Sequence, residues 1–135
     1  MDEFIRLPDA ELEVMAVLWG EDEPMSSRQI LEALSERKDW GITTLLNLLT
    51  RLINRGFVAV EKSGKINQYS VLIPREEYAA EMDRYFLRLL HGGSVLDMLE
   101  ILAENETVSE HDLADIRRFI DRKEKEKGDV PSWLL

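Results

Sequence analysis

Residues 41–73 read GITTLLNLLTRLINRGFVAVEKSGKINQYSVLI, and this stretch decides the fold. Leu45, Leu48, Leu49 and Leu52 recur at the spacing of one helical face, so a helix is expected over roughly 42–55. Gly41 breaks the chain ahead of it, and Gly56 follows Arg55 where glycine commonly ends a helix. Phe57-Val58-Ala59-Val60 is strand-like, Ser63-Gly64-Lys65 turn-like, and Ile66 to Ile73 strand-like again, with Tyr69, Val71 and Ile73 alternating. Pro74 ends the run.

Toward the N-terminus two more helices are expected. Pro8-Asp9 opens the first, with Asp9 placed to cap it and Glu11 and Glu13 suited to the positive end of its dipole. Leu12, Met15, Ala16 and Trp19 recur along it at helical spacing; Gly20 closes it before the polar loop Glu21-Asp22-Glu23-Pro24. Ser26 or Ser27 caps the second helix, roughly 27–37, whose buried stripe is Ile30, Leu31 and Leu34. Three helices followed by a hairpin within 73 residues is the order of a helix-turn-helix with a β-hairpin wing.

After Pro74 the pattern is helical throughout. Tyr78, Met82, Tyr85, Phe86, Leu89 and Leu90 share a stripe, and His91-Gly92-Gly93 interrupts it. Ser94 opens a short helix that is apolar on more than one face, with Val95, Leu96, Met98, Leu99, Ile101 and Leu102. Ser109 opens the last helix, with Asp112 where a Glu or Gln would complete a capping box, and its stripe is Leu113, Ile116, Phe119 and Ile120. Three short helices cannot bury this much apolar surface among themselves, so a partner subunit is the simplest cover. The expected dimer interface is Tyr85, Phe86, Leu89, Leu90, Leu96, Leu99, Leu102, Leu113, Ile116, Phe119 and Ile120. The chain is thus expected to be mainly α with a small β-hairpin: a winged helix-turn-helix DNA-binding domain over 1–73, a helical dimerisation domain over 74–123 and a flexible tail over 124–135, where Trp133-Leu134-Leu135 could dock.

Composition excludes several functions. Of 135 residues, 44% are apolar and 33% charged, as in ordinary folded domains. No apolar run is long enough to span a membrane, and the acidic N-terminus lacks the basic segment of a secretory signal. The absence of cysteine excludes disulfides, thiolate zinc sites and a Cys nucleophile, and favours the cytoplasm. His91 and His111, twenty residues apart, make no metal site, so none is expected. No Ser/His/Asp order, glycine-rich phosphate loop or HExxH occurs, so neither an enzyme nor a cofactor is expected. The net charge of −10 opposes general coating of DNA, yet within 37–73 six basic residues (Arg37, Lys38, Arg51, Arg55, Lys62, Lys65) face only Asp39 and Glu61.

That local excess falls on the candidate site. Thr43, Thr44, Asn47, Thr50, Arg51, Asn54 and Arg55 lie opposite the leucine stripe of the helix at 42–55. Asn can read adenine with two hydrogen bonds, Arg can read guanine or clamp a phosphate, and threonines at a helix start suit phosphates. Composition alone describes a solvated helix face equally well; the helix-turn-helix context assigns it to DNA. Lys62 and Lys65 flank the hairpin turn, where a wing meets the phosphate backbone. Trp40 is expected to pack under the helix start. Leu46, between the reading face and the core edge, either contacts a thymine methyl or packs on the wing.

Several stretches together resemble the penicillinase and methicillin-resistance repressor family (the BlaI/MecI type, which includes copper-responsive repressors). They are Asp9-Ala10-Glu11-Leu12-Glu13-Val14-Met15 with Leu18-Trp19, Lys38-Asp39-Trp40, Thr44 with Leu48, Thr50-Arg51-Leu52, Arg55-Gly56-Phe57, Tyr69-Ser70 with Leu72-Ile73, Gly92-Gly93, and the Ser109 helix start. The resemblance spans about residues 7–123. It implies a winged helix followed by a helical dimerisation domain, a homodimer on a pseudo-palindromic double-stranded operator, repression of downstream genes, and DNA contacts from Thr44 and Arg51. Family members usually open the reading helix with Ser-Pro-Lys-Thr, where this chain has Gly41-Ile42-Thr43-Thr44, and Leu46 and Asn47 replace the more usual Arg and Thr. A different operator follows from these losses. The β-lactam-responsive members are cut by a sensor protease at an Asn-Phe bond; this chain has Leu99-Glu100-Ile101-Leu102 near there and no such pair. Without cysteine, the copper-responsive route is closed. The competing expectation is a winged-helix adaptor that binds protein instead of DNA, favoured by the acidic charge and by Leu46.

Overall fold

A computed structural model describes residues 4–128. The elements run α1 Asp9–Trp19, α2 Ser27–Leu34, α3 Ile42–Asn54, β1 Val58–Ser63, β2 Ile66–Val71, α4 Arg75–His91, α5 Val95–Glu104 and α6 Glu110–Gly128. Mainly helical, with one two-stranded antiparallel sheet, the fold has the expected order. The chain forms two compact units that divide within α4, after Arg84. The expected boundary at Ile73/Pro74 follows element order, whereas packing carries the start of α4 into the first unit.

The first unit is a helix-turn-helix closed by its wing. Leu45, Leu48, Leu49 and Leu52 of α3 are all buried, against Val14, Met15 and Leu18 of α1 and Ile30 and Leu34 of α2. The α1 stripe differs from the expected one: Met15 is buried, Leu12 and Trp19 half-buried, Ala16 exposed, and the rest of the buried side is Glu11, Val14 and Leu18. Apolar residues stand on most sides of α1, so periodicity cannot choose among them. Pro8, not Asp9, occupies the cap position of α1 and no side chain caps it, leaving Asp9 in the first turn. Ser26 caps α2 in a reciprocal box with Gln29, and α2 stops at Leu34, short of the expected 37, where the Lys38 N–H reaches back to the Leu34 carbonyl.

The end of α3 launches the hairpin. Gly56, at φ +83°, gives its N–H to the Ile53 carbonyl (3.0 Å), and Phe57 gives its own to that of Leu52 (2.9 Å). These two bonds form a Schellman motif, and Leu52 and Phe57 are both buried beneath it. Strand β1 then pairs with β2 from Val58↔Val71 to Ser63↔Ile66, leaving Gly64-Lys65 as a two-residue turn. Gly64 has φ +67° in its first central position, as a II′ turn requires. The Met25 and Tyr69 backbones exchange hydrogen bonds of 3.0 and 2.8 Å, pinning the loop before α2 to the wing.

The first turns of α4 complete this unit. Tyr78 packs against Phe4, Trp19 and Phe57 at ring separations of 5.5, 5.6 and 5.7 Å, and its hydroxyl accepts the Leu7 N–H at 2.9 Å. Met82 also packs on this core.

In the second unit, Ser94 caps α5 by accepting the Asp97 N–H, and the His91 ring lies 2.8 Å from the Asp97 carboxylate. Asp112 and Ser109 exchange hydrogen bonds of 2.9 and 3.0 Å at the start of α6, so aspartate closes a box that usually carries Glu or Gln. Helix α6 continues to Gly128, four residues past the start of the expected tail at 124. Trp133-Leu134-Leu135 lies outside the described residues.

Neither α5 nor α6 contains a buried side chain. Leu89, Leu90, Leu96, Leu113, Phe119 and Ile120 are exposed, as are Val95 and Ile101, which were not among the expected interface residues. Tyr85, Phe86, Leu99, Leu102 and Ile116 are half-buried.

Candidate nucleic-acid interface

With its leucine stripe packed inward, α3 turns its polar side to solvent: Thr43, Thr44, Asn47, Thr50, Arg51 and Asn54 are all exposed. The helix begins at Gly41 with no side-chain cap, so no side chain occupies the N–H groups of its first turn. Such a start accepts an anion. Thr43 and Thr44 stand in that turn.

The cations separate into two groups. Arg55 is held by Glu11 of α1, its Nε–H donating to Oε1 at 2.6 Å and an Nη2–H to Oε2 at 3.3 Å. Arg37 lies 3.5 Å from Glu13 of the same helix. Lys38 stands over the Trp40 ring at 5.8 Å, and Trp40 packs against the core as expected. Half of the positive stretch read from the sequence is therefore engaged within the fold. Arg51, Lys62 and Lys65 are exposed and make no ion pair among the described residues. Arg28, in the first turn of α2, is exposed and unpaired in the same way. Sequence reading passed over it; an arginine in the helix ahead of the reading helix, with no acidic residue in that first turn, is the signal that marks it.

Two expected contacts change character. Arg55 already gives its Nε–H and an Nη2–H to one carboxylate. Thr50 donates its only hydroxyl hydrogen to the Leu46 carbonyl at 2.9 Å, so its oxygen can accept a bond but the group cannot donate one to a phosphate. Lys62 and Lys65 flank the hairpin tip, Lys62 paired in register with Asn67.

A three-helix core that presents a polar, cation-edged third helix beside a lysine-tipped hairpin defines a winged-helix DNA-binding module. Comparison with known proteins agrees. The family model described as "Penicillinase repressor" matches residues 7–122. The methicillin resistance regulatory protein MecI of Staphylococcus aureus (strain N315) is 27% identical over 117 residues, 87% of this chain and 94% of that protein. The penicillinase repressor of Bacillus licheniformis is 25% identical over 127 residues, 94% of this chain and 98% of that one. Among solved structures, the DNA-binding domain of the repressor BlaI superposes with a TM-score of 0.50 at 31% identity, covering 58% of this chain and 94% of that domain. The chain belongs to the penicillinase repressor family.

Proposed function

We propose that this DNA-binding transcriptional repressor acts as a homodimer on a pseudo-palindromic operator in the cytoplasm. The exposed side of α3 enters the major groove. The open first turn of α3, with Thr43 and Thr44, takes a phosphate; Asn47 and Asn54 offer amides to base edges; Arg51 pairs with guanine or phosphate. Lys62 and Lys65 meet the backbone from the wing, and Arg28 meets it from α2. Arg55 leaves the contact set, because it serves the fold. The observation that carries this reading is Arg51: exposed, unpaired among the described residues, and on the outer side of a helix whose inner side is fully packed.

The helices from α4 onward hold the dimer, since α5 and α6 contain no fully buried side chain within one chain. Without the Asn-Phe pair, release by a sensor protease would need a different cleavage bond. The adaptor reading draws on the net charge of −10 and on exposed Ile42 and Leu46. Fluorescence anisotropy separates the two. On duplex DNA from upstream of the protein's own gene, wild type should bind far more tightly than to random DNA, with affinity falling as salt rises. Arg51→Ala should lose about tenfold or more. If that duplex binds no better than random DNA and a randomised pool yields no preferred sequence, the adaptor reading takes over.

A further inference from the structure

Two large apolar side chains stand open on α3 among the polar ones: Ile42 is 43% exposed and Leu46 is 39% exposed. At about 100° per residue, the four buried leucines centre on one side of the helix, and Thr43, Asn47, Thr50 and Asn54 cluster within about 30° of the opposite direction. Leu46 and Arg51 flank that cluster on its two edges, each about 70° from its centre. The Leu46 edge offers no donor from Thr50, whose hydroxyl hydrogen is tied back to the Leu46 carbonyl. One edge of the reading face thus presents hydrocarbon, and the other presents a guanidinium. The DNA-binding reading puts a polyanion against this face, in keeping with Arg51 on α3 and Lys62 and Lys65 on the wing, all exposed without ion pairs among the described residues. Among the base-pair edges displayed in a major groove, the apolar group is the C5-methyl of thymine.

We propose that Leu46 is a specificity-determining residue that packs on a thymine C5-methyl, in the same half-site as the adenine offered to Asn47. This rests on the DNA-binding reading above and deepens it. The half-site therefore contains at least one A·T pair that is read by its methyl group and not by a hydrogen bond.

Atomic substitution in the DNA tests this. The full chain first selects a preferred duplex from a randomised pool. Each thymine of that duplex is then replaced in turn by deoxyuridine, which removes the methyl and leaves base pairing intact. Wild type should lose about fourfold in affinity per half-site at one position, the value of a single buried methyl. Leu46→Ala should be indifferent to the same replacement. It should melt with the wild type, since Leu46 lies outside the core, and the wild-type measurement stands without it. If every deoxyuridine duplex binds wild type as tightly as the parent, or if the loss persists undiminished in Leu46→Ala, the Leu46 assignment is overturned while the DNA-binding reading stands. If the pool yields no preferred sequence, both fall, and a protein partner becomes the occupant of this face.

Discussion

Glu11 is the one buried charged residue among those described, at 1% exposure, and both of its oxygens are taken by Arg55. The pair ties the start of α1 to the end of α3, forty-four positions away in the chain. Its two halves are not equivalent, because Arg55 keeps about a third of its side chain in water while Glu11 has none to turn to. Arg55→Ala should therefore destabilise the protein by about 2–4 kcal/mol, leaving a buried carboxylate unpaired, and Glu11→Gln by less. The double variant Glu11→Leu/Arg55→Met should recover much of the loss, because apolar groups often replace a buried pair at little cost. Urea unfolding checks the order. Anisotropy on the selected duplex then tests the role of Arg55: the double variant should bind within about twofold of wild type. If it binds as weakly as Arg51→Ala, Arg55 contacts DNA after all. Sequence reading put Arg55 on the DNA face because it extends the polar side of the helix; no local signal could show that a carboxylate from another helix meets it.

Elements were the most legible level. The four leucines of α3, the glycine that ends it, the hairpin and the Ser94 and Ser109 helix starts are all local patterns, set by residues within about one helical turn of each other. Asp112 shows how far such a pattern can be pushed. Its carboxyl is held below the ordinary value of 3.8, first by the Ser109 backbone N–H, then by the Ser109 hydroxyl, against an opposing effect of desolvation and with the smallest contribution from His111. A carboxyl lowered in the folded state stabilises the fold above its unfolded pKa, and that contribution disappears as pH falls through the lowered folded value. The first turn of α6 should hence loosen only in acid below about pH 4. An NMR titration should place Asp112 below 3.8, and Ser109→Ala, which removes the hydroxyl but keeps the backbone N–H, should raise it part of the way back. An unchanged Asp112 in that variant would mean that the Ser109 hydroxyl takes no part in lowering it. Where local patterns were mute, the sequence reading slipped: α1 is apolar on most sides, so its buried side was misjudged.

At the scale of the whole molecule the two units differ in kind. The first has a closed core of fifteen buried apolar residues, with Tyr78 of α4 among them. The second leaves eight large apolar side chains open, from Leu89 to Ile120, and no side chain of α5 or α6 is fully buried. Apolar side chains left open in this number on one helical unit suit a partner surface. Sedimentation at micromolar concentration should accordingly return a dimer, with a melting temperature that rises with protein concentration. Leu90→Glu/Leu96→Glu should shift the mass toward the monomer, remove the concentration dependence and weaken operator binding, because the two half-sites would no longer be bound as one event. A wild-type monomer would sink the dimer reading while leaving the DNA-reading unit as described.

By itself, the sequence determined the order of the elements, the inward face of α3, the wing and the exposed polar side that suits DNA. These follow from periodicity and caps, whose interactions act between residues a few positions apart. Tertiary structure alone decided which cations remain free, because the partners of Arg55 and Arg37 come from a helix distant in the chain. It decided that Leu46 stays open, that Met25 joins the wing through its backbone, and that Tyr78 belongs to the first unit. Each depends on which surfaces meet once the helices pack, and spacing along the chain carries no record of that.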